Sequence, residues 1–335
     1  MPGIDPPAPR PHPATAPRRF PVALVLLFAL TLAFPAARAL ATDTDEPGVA
    51  PAETFVDDAG RNVVVQKPFS RIISLYAAHT ENLYCLGAEE ALIGVTTADT
   101  YPPESASKPG FNWRDDAERF IAARPDLVLV RPMLLQRQGG LLAQLEQAGI
   151  TVVALQPTSA ETLFAYWRRL GLLCGRTQGA EAMIERFQAD LKRIAARVAT
   201  IPPEQRKRVF FESIHSQFKT FAPESLAMFA LEQAGGINAI PDAPTVGDTN
   251  IAACGLERLL SHGNTIDVYL AQHGHMNRIT IEEIARTPGY GAIKAVTEGQ
   301  IHLIDETLCS RPTPRLIQGI ETIGRLLWGE IDPSS

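Results

Sequence analysis

The feature that most constrains this chain is a regular alternation of short apolar runs with longer amphipathic stretches. The apolar runs predict seven strands, at Ile72–Tyr76, Ile93–Thr96, Leu127–Val130, Thr151–Leu155, Val209–Glu212, Ile266–Ala271 and Ile301–Ile304. The amphipathic stretches predict helices near 79–87, 115–124, 139–148, 159–174, 224–235, 255–262, 280–287 and 313–328. Strands that alternate with helices are typical of parallel sheets built from βαβ units, so this pattern predicts an α/β protein.

A single long helix is predicted at 178–200, between two halves of the chain that resemble each other. Its apolar residues recur three and four apart from Ala180 to Val198. On either side, Glu118 and Glu257 begin similar local segments, which indicates a diverged repeat. The chain is therefore predicted to form two Rossmann-like lobes with mainly parallel sheets, joined by one long α-helix. Ligands of such sheets bind at the carboxyl ends of strands, so a ligand cleft is expected between the lobes.

The first 41 residues have the pattern of a secretory signal peptide. Arginines precede an apolar run, Phe20–Phe34, and two A-x-A cleavage sites end at Ala39 and Ala41. The run is about 15 residues long, whereas a membrane-spanning helix needs about 20. We therefore expect export to the periplasm, with an uncleaved membrane anchor as the alternative. The expected organisation is a signal peptide at 1–41, a disordered tail at 42–54, lobes at 55–177 and 201–335, and the linking helix at 178–200.

Composition and charge exclude several classes of protein. The 335 residues are 45% hydrophobic and 20% charged, an ordinary balance for a globular protein. The net charge of -6 and the lack of a Lys/Arg-rich run argue against nucleic-acid binding. The four cysteines include no CxxC pair, which argues against a disulfide scaffold or a zinc ribbon. Export leaves a disulfide between Cys254 and Cys309 open.

Several short segments, found in order over about residues 55–330, carry a family resemblance. They are Arg71–Leu75, Thr80–Leu83, Leu86–Gly87, Ile93–Val95, Tyr101–Pro103, Arg124–Leu129 and Leu145–Ile150. Together they resemble the periplasmic binding proteins for iron complexes and cobalamin. The resemblance implies a monomeric receptor that delivers a metal chelate to an ABC permease and its ATPase. It also implies no catalysis and no intrinsic cofactor, because the chelate is the transported ligand.

The resemblance also implies a docking role for two acidic residues, Glu118 and Glu257. In related cobalamin-binding proteins, one exposed glutamate on each lobe pairs with arginines of the permease. Two separated charges fix the orientation of a partner and speed its encounter. The alternatives are structural. Asp115 and Glu118 have the spacing of a capping box, and Glu257 is compatible with a solvated helix face.

Tyr76, His79 and His215 follow predicted strands and are expected in the cleft. Neutral imidazole is a common metal ligand, so the two histidines are candidates to complete the coordination of a chelated metal. The alternative, which we favour, is that they donate hydrogen bonds or cap helices, because two histidines do not make a complete metal site. His273 and His275 give a weaker zinc signal at the end of another strand.

Four arginines also follow predicted strands, namely Arg131, Arg278, Arg311 and Arg315. Guanidinium groups favour bidentate contacts with carboxylate or catecholate oxygens, so their clustering suggests an anionic ligand. The alternative is that each arginine pairs with an acidic residue at the surface.

Aromatic residues collect near the rim of the first lobe, and Trp113 is the candidate to contact a flat ligand. Cobalamin binders commonly clamp their ligand with an aromatic side chain from each lobe. The corresponding second stretch, Asn250–Cys254, contains no aromatic residue. We therefore expect a ferric siderophore-type iron complex, with a corrinoid or haem as alternatives. Two further hypotheses are a metal-dependent enzyme on a two-lobed scaffold and a sensor that docks on a membrane receptor.

Overall fold

Two β-sheets organise the residues that the structure describes, which are 52–247 and 249–329 of this computed structural model. The predicted signal peptide and most of the predicted tail lie outside the described residues. The last two residues of that tail, Glu53 and Thr54, belong to a strand. It is β1 (Glu53–Val56), which pairs with β2 (Asn62–Val65) in an antiparallel hairpin ahead of the first sheet.

The N-terminal lobe is built on a five-stranded sheet in which every strand is parallel to its neighbours. Its strands are β3 (Ile72–Ser74), β4 (Leu92–Thr96), β5 (Gly110–Phe111), β6 (Leu127–Val130) and β7 (Thr151–Ala154), in the order β5-β4-β3-β6-β7. Its helices are α1 (Ala77–Cys85), α2 (Ala117–Ala123), α3 (Pro132–Gln147) and α4 (Ala160–Leu173). Strands β3 and β6 are buried at every position because helices cover both faces of the sheet.

The linking helix α5 (Thr177–Val198) leads to a second sheet that is mixed rather than parallel. Its strands are β8 (Arg208–Ile214), β9 (Lys219–Phe221), β10 (Ile237–Asn238), β11 (Ile251–Ala253), β12 (Val268–His273) and β13 (Ile301–Asp305). The order is β11-β9-β8-β12-β13, and β10 pairs with the start of β8. Strands β8, β12 and β13 are parallel, whereas β9 is antiparallel to both of its neighbours.

Six α-helices complete the described part of the C-terminal lobe. They are α6 (Leu226–Gln233), α7 (Leu256–Ser261), α8 (Ile281–Ala285), α9 (Lys294–Thr297), α10 (Glu306–Cys309) and α11 (Leu316–Trp328). Helix α11 carries a strongly apolar face, which packs against α5 and α6. No helix among the described residues is long and apolar enough to cross a membrane.

One hydrophobic core is shared by the two lobes. Met183 and Phe187 of α5 belong to the same buried cluster as Leu129 of β6 and Phe211 of β8. Two smaller clusters cover the outer faces of the two sheets. The linking helix is therefore part of the packing of both sheets, not an exposed linker between them.

The predicted fold class is confirmed. The structure adds short elements that the pattern did not indicate, including the hairpin of β8 and β9. Phe218 makes that turn in a left-handed conformation, with φ of 49°. Helix α3 begins at Pro132, seven residues before the predicted start, and it has a non-helical residue at Gln138 just before two glycines.

Candidate functional site

The carboxyl ends of β3 and β6 place an aromatic ring and a cation side by side. Tyr76 directly precedes α1, and Arg131 directly precedes α3. The Arg131 guanidinium lies over the Tyr76 ring, 4.9 Å from its centroid, and its Nε donates to Gln156 Oε1 at 2.9 Å. Both residues are half-buried, so stacking and the hydrogen bond together fix the position of the charge.

His79 lies beneath this surface and has no exposed area. Its Nδ1 is 2.8 Å from the Tyr166 hydroxyl and its Nε2 is 3.2 Å from the Val130 carbonyl oxygen. Burial lowers the pKa of the imidazole to about 3, so the ring is neutral. The expectation that His79 reaches the cleft is therefore corrected, because α1 begins at Ala77 and turns this side chain into the core.

A loop from the C-terminal lobe, Ser310–Arg315, reaches across to the N-terminal lobe, and we call it the crossing loop. The Pro312 carbonyl oxygen accepts hydrogen bonds from Asn82 Nδ2 at 2.9 Å and from Trp167 Nε1 at 3.1 Å. Both donors are buried, which makes these bonds costly to break. The crossing loop is thus held against α1 and α4 of the other lobe.

Arg315 ends the crossing loop in a bidentate ion pair with Glu81. Its Nε and Nη2 donate to the two carboxylate oxygens at 2.8 and 2.7 Å. The Glu81 side chain is fully buried, and the Arg315 side chain is 14% exposed. The guanidinium also stacks on Tyr101, 3.8 Å from the ring centroid. The prediction that Arg315 binds the ligand is corrected, because Nε and Nη2 are held by Glu81 and the guanidinium is stacked on Tyr101 within the protein.

Arg311, in the same loop, differs from Arg315 in its hydrogen bonding. Its Nη1 is buried and has no hydrogen-bond partner among the described residues. Its charge lies close enough to Tyr76 and Asp99 to lower the pKa of each. Burial outweighs this effect in both groups, and it raises the pKa of the Asp99 carboxyl to about 6. Sequence reasoning identified Arg311 but not Asp99, which follows β4 and thus satisfies the same strand-end rule.

Two further cleft candidates, Arg278 and Trp113, lie at or near the surface. Arg278 is exposed, in the segment after β12. Trp113 is half-buried against the outer core of the N-terminal lobe, and the Arg114 guanidinium lies 4.4 Å from its ring centroid.

His215 follows β8, but a buried network occupies both of its ring nitrogens. Nδ1 is 2.7 Å from Glu212 Oε2, and Nε2 is 3.1 Å from Thr287 Oγ1. The hydrogen bond to Glu212 raises the pKa of His215 despite partial burial. Glu212 also accepts hydrogen bonds from Tyr269 and Asn277. Glu212 is an acidic residue within an otherwise apolar predicted strand, and this was a sequence signal for the network that the sequence analysis did not use.

The other metal-site hypotheses find little support in the geometry. His273 Nδ1 lies 3.0 Å from the Ile279 carbonyl oxygen. The described residues hold no group of three or more His, Cys, Asp and Glu side chains arranged for a metal ion. Within the same residues, Cys254 and Cys309 are buried free thiols rather than a disulfide.

Glu118 and Glu257 occupy equivalent places on the two lobes. Each lies in the first turn of a short helix, α2 or α7, and each is exposed. The capping-box alternative is corrected, because Asp116 rather than Asp115 precedes α2. The Asp115 carboxylate instead accepts from the backbone N–H of Asn112 at 2.8 Å and from Arg119 Nη1 at 2.7 Å.

A polar groove of about 290 Å³ opens between the lobes. Its walls are Thr158, Ser159, Ala222, Pro223, Glu224, Ser225, Thr245, Thr249 and Asn250. The N-terminal lobe supplies only the first two of these residues, which precede α4. Five of the nine lining residues carry hydroxyl groups and Glu224 adds one carboxylate, so this groove offers hydrogen bonds and a negative charge but no cation.

Comparison with known proteins gives a consistent result. Residues 72–308 match the model of a periplasmic binding protein family. An uncharacterised ABC transporter substrate-binding lipoprotein of Bacillus subtilis, YvrC, is 28% identical over 82% of this chain and 85% of its own length. A vitamin B12-binding protein of Vibrio cholerae is 22% identical over 78% of this chain and 90% of its own length. The crystal structure of a possible iron-binding, periplasmic solute-binding protein of Staphylococcus epidermidis aligns with a TM-score of 0.68. It is 25% identical, and the alignment covers 78% of this chain and all of that one.

Proposed function

Because the chain belongs to the periplasmic binding protein family, we propose that it is the substrate-binding component of an ABC importer whose cargo is a metal chelate of the ferric siderophore type. Relatives named for ABC transport, for vitamin B12 and for iron support an importer of metal complexes. In such a receptor the chelate is cargo, not a resident cofactor, and the permease and ATPase are the partners. The related proteins are binding proteins, which agrees with the expectation of no catalysis.

The observation that carries the choice of cargo is the positive charge at the lobe boundary. Arg131 is fixed over Tyr76. Arg311 is near enough to Tyr76 to lower its pKa, and its buried Nη1 has no partner within the part of the chain that the structure describes. Arg278 adds an exposed cation after β12. A guanidinium is always charged and binds carboxylate or catecholate oxygens well. These three arginines therefore favour a chelate with anionic oxygens.

A corrinoid is the second candidate, and it rests on a different observation. Trp113 presents a half-buried ring in the N-terminal lobe, and a curated relative is named for vitamin B12. Flat ring surfaces suit a macrocycle.

Binding measurements on the protein purified from the periplasm separate these cargoes. The probes are a ferric tricatecholate, a ferric trihydroxamate, cyanocobalamin and haemin, each followed by native mass spectrometry and calorimetry. We expect one ferric chelate to be retained at a ratio of one to one. Arg131→Ala is expected to weaken binding about tenfold or more, since a charge-assisted hydrogen bond contributes about 1.5–3 kcal/mol.

Arg168→Ala is the matched control, because that exposed arginine pairs with Glu181 on the helices α4 and α5. Retention of cyanocobalamin alone would replace the siderophore with a corrinoid. Failure of every probe to bind the unaltered protein would contradict the proposed cargo class.

We also propose that Glu118 and Glu257 dock the receptor on the permease. Their exposure and matching positions in α2 and α7 support this role. The double reversal Glu118→Arg and Glu257→Arg places like charges at the contact, which costs several kcal/mol. Uptake should fall by about tenfold or more while cargo affinity stays the same. The control is Glu185→Arg, an exposed position on α5. Unchanged uptake in the double variant would exclude the docking role.

Export through the signal peptide belongs to the same proposal. Cleavage at an A-x-A site leaves an N-terminus just after Ala39 or Ala41. The two lobes, at 55–177 and 201–335, then form the receptor in the periplasm. N-terminal sequencing of the periplasmic protein tests this, and an intact Met1 would favour the uncleaved anchor.

A further inference from the structure

We propose that the groove between α5 and α11, which we call the helix groove, is a second binding site for a monocarboxylate with an apolar body. The groove has a volume of about 380 Å³. Small-molecule sites in proteins have volumes of about 300–1,000 Å³, so a ligand of this class fits. The site takes no part in binding the proposed cargo, and the inference therefore goes beyond the proposed function.

The helix groove and the proposed cleft lie at opposite ends of the second sheet. Ala234 lines the groove and ends α6 just before β10, which pairs with Arg208 at the start of β8. The cleft is expected at the other end of β8, where the strand reaches Ile214. Since β8 has seven residues, about 20 Å separate the two places. A ligand in the groove therefore occupies a different site from the cargo.

Two contacts show how the helices that form the groove run. Arg193 Nη2 of α5 donates to Glu321 Oε1 of α11 at 2.8 Å. Further along both helices, Val198 and Trp328 pack on Gly235, where a Cβ atom would lie 2.9 Å from Val198 Cγ1 and 3.5 Å from Trp328 Nε1. The contacts advance in the same direction along both helices, so α5 and α11 are parallel along the groove.

One turn beyond the ion pair, two cations replace a cation and an anion. Residues four apart lie on the same face of a helix, so Arg197 and Arg325 take the positions that follow Arg193 and Glu321. Both arginines are exposed and line the groove. Arg325 Nη2 donates to Thr322 Oγ1 at 3.0 Å, and no carboxylate among the described residues pairs with either guanidinium. This turn of the groove therefore attracts an anion.

The floor of the helix groove is apolar and contains a depression. Ile194 and Ile320 are buried, and Val198 and Trp328 are half-buried. Gly324 lies between Ile320 and Trp328 on the same face of α11, and a Cβ atom there would meet no atom within 4 Å. Packing within the protein therefore does not require glycine, which is unfavourable inside a helix. The missing side chain leaves room for an apolar group one residue away from the cations.

The chemistry of the lining restricts the ligand. The planar guanidinium fork matches a carboxylate, and the floor favours an aliphatic or aromatic body. Glu321 lines the same groove, so a second negative charge on the ligand is disfavoured. A neutral alcohol lacks the charge for the cations, and acetate lacks a body for the floor. Medium-chain fatty acids and aromatic monocarboxylates have both features.

Calorimetry on the purified protein tests this site with octanoate and naphthoate as probes. Octanol and acetate are the matched ligand controls, since each keeps only one of the two features. We expect at least one of the two carboxylates to bind at a ratio of one to one. Octanol and acetate should bind about tenfold more weakly or not at all.

Two variants remove the two features of the groove separately. The double variant Arg197→Gln and Arg325→Gln should weaken carboxylate binding about tenfold or more. Gly324→Leu fills the depression and should weaken binding to a similar extent, while the urea midpoint stays constant or rises because leucine favours a helix. The controls, expected to bind as the unaltered protein does, are Arg186→Gln on α5 and Gly140→Leu on α3, where a Cβ atom also meets no neighbour. The arginine variant leaves the floor intact, so it tests the site even if Gly324→Leu does not fold.

Several outcomes would overturn the proposal. Absence of carboxylate binding to the unaltered protein would do so, as would binding that both groove variants retain. Tighter binding in the double variant Glu330→Gln and Asp332→Asn would assign the groove to the chain's own segment 330–335 instead. Displacement of the carboxylate by a bound ferric chelate would place it in the cleft, which overturns this site and leaves the receptor function standing. If no chelate binds but a carboxylate does, the proposed cargo class fails and the helix groove stands.

Discussion

Arg311 and Arg315 belong to one loop and lie near the same lobe, but they differ in whether their guanidinium groups are paired. Arg315 meets both oxygens of Glu81, and Tyr101 covers its outer face. Among the described residues Arg311 has no ion pair with Asp99, and its buried Nη1 has no hydrogen-bond partner there. A satisfied buried pair holds two elements in place. The difference indicates a structural role for Arg315 and agrees with the proposed cargo contact of Arg311, two arginines that the sequence does not distinguish.

The largest expected effect comes from breaking the satisfied pair. Arg315→Met leaves the Glu81 carboxylate buried and uncompensated, since that side chain is fully buried. Loss of one partner of a buried ion pair lowers the free energy of unfolding by about 3–5 kcal/mol. Urea unfolding measures this change.

The double variant Glu81→Leu and Arg315→Met serves as the control, because it removes both charges together. It should recover much of the lost stability, as apolar replacements of buried pairs often do. A single variant as stable as the unaltered protein would contradict the structural role of this pair.

A smaller effect is expected from the tryptophan that holds the crossing loop. Trp167→Phe removes the hydrogen bond to the Pro312 carbonyl oxygen, which retains its bond from Asn82. Because Trp167 is fully buried, the lost hydrogen bond and the cavity left by the smaller ring should together lower the free energy of unfolding by about 1–3 kcal/mol. Cargo affinity should fall as well, because the same loop positions Arg311.

Trp328→Phe is the matched control. Its Nε1 donates to the Ala234 carbonyl oxygen at 2.9 Å, away from the crossing loop. Stability should fall by a smaller amount, because Trp328 is only half-buried, while cargo affinity stays constant. Equal losses of affinity in the two variants would show that the crossing loop has no special influence on the cleft.

The sequence predicts the secondary structure of this protein better than it predicts contacts between the lobes. Local periodicity predicts the strands, the linking helix and the fold class, because each depends on neighbouring residues. The hairpin of β8 and β9 was missed, since β9 has only three residues and depends on the left-handed turn at Phe218.

The strand-end rule places Tyr76, Arg131 and Arg311 near the lobe boundary, but it does not predict their partners. Arg315 and Glu81 are 234 residues apart in the sequence, and no local pattern connects them. His79 was misplaced because a shift of two residues in the start of α1 decides which face of the helix is buried. Pairing across the lobes therefore requires the structure.

The smallest effect is a pH dependence that comes from Asp99, near Arg311. Burial raises the pKa of Asp99 to about 6 from the ordinary value of 3.8, although the Thr80 hydroxyl and Arg311 oppose the rise. Between about pH 4 and pH 6 the folded protein therefore keeps a proton that the unfolded chain has released. The contribution of Asp99 to stability falls as the pH rises through this window and is constant above it.

Urea unfolding of the cargo-free protein and of Asp99→Asn at several pH values measures this contribution as a difference between the two. Other titrating groups, such as His215, whose pKa is raised by Glu212, contribute equally to the stability of both proteins, so their contributions cancel in this difference. A difference that stays constant between about pH 4 and pH 6 would contradict the raised pKa of Asp99.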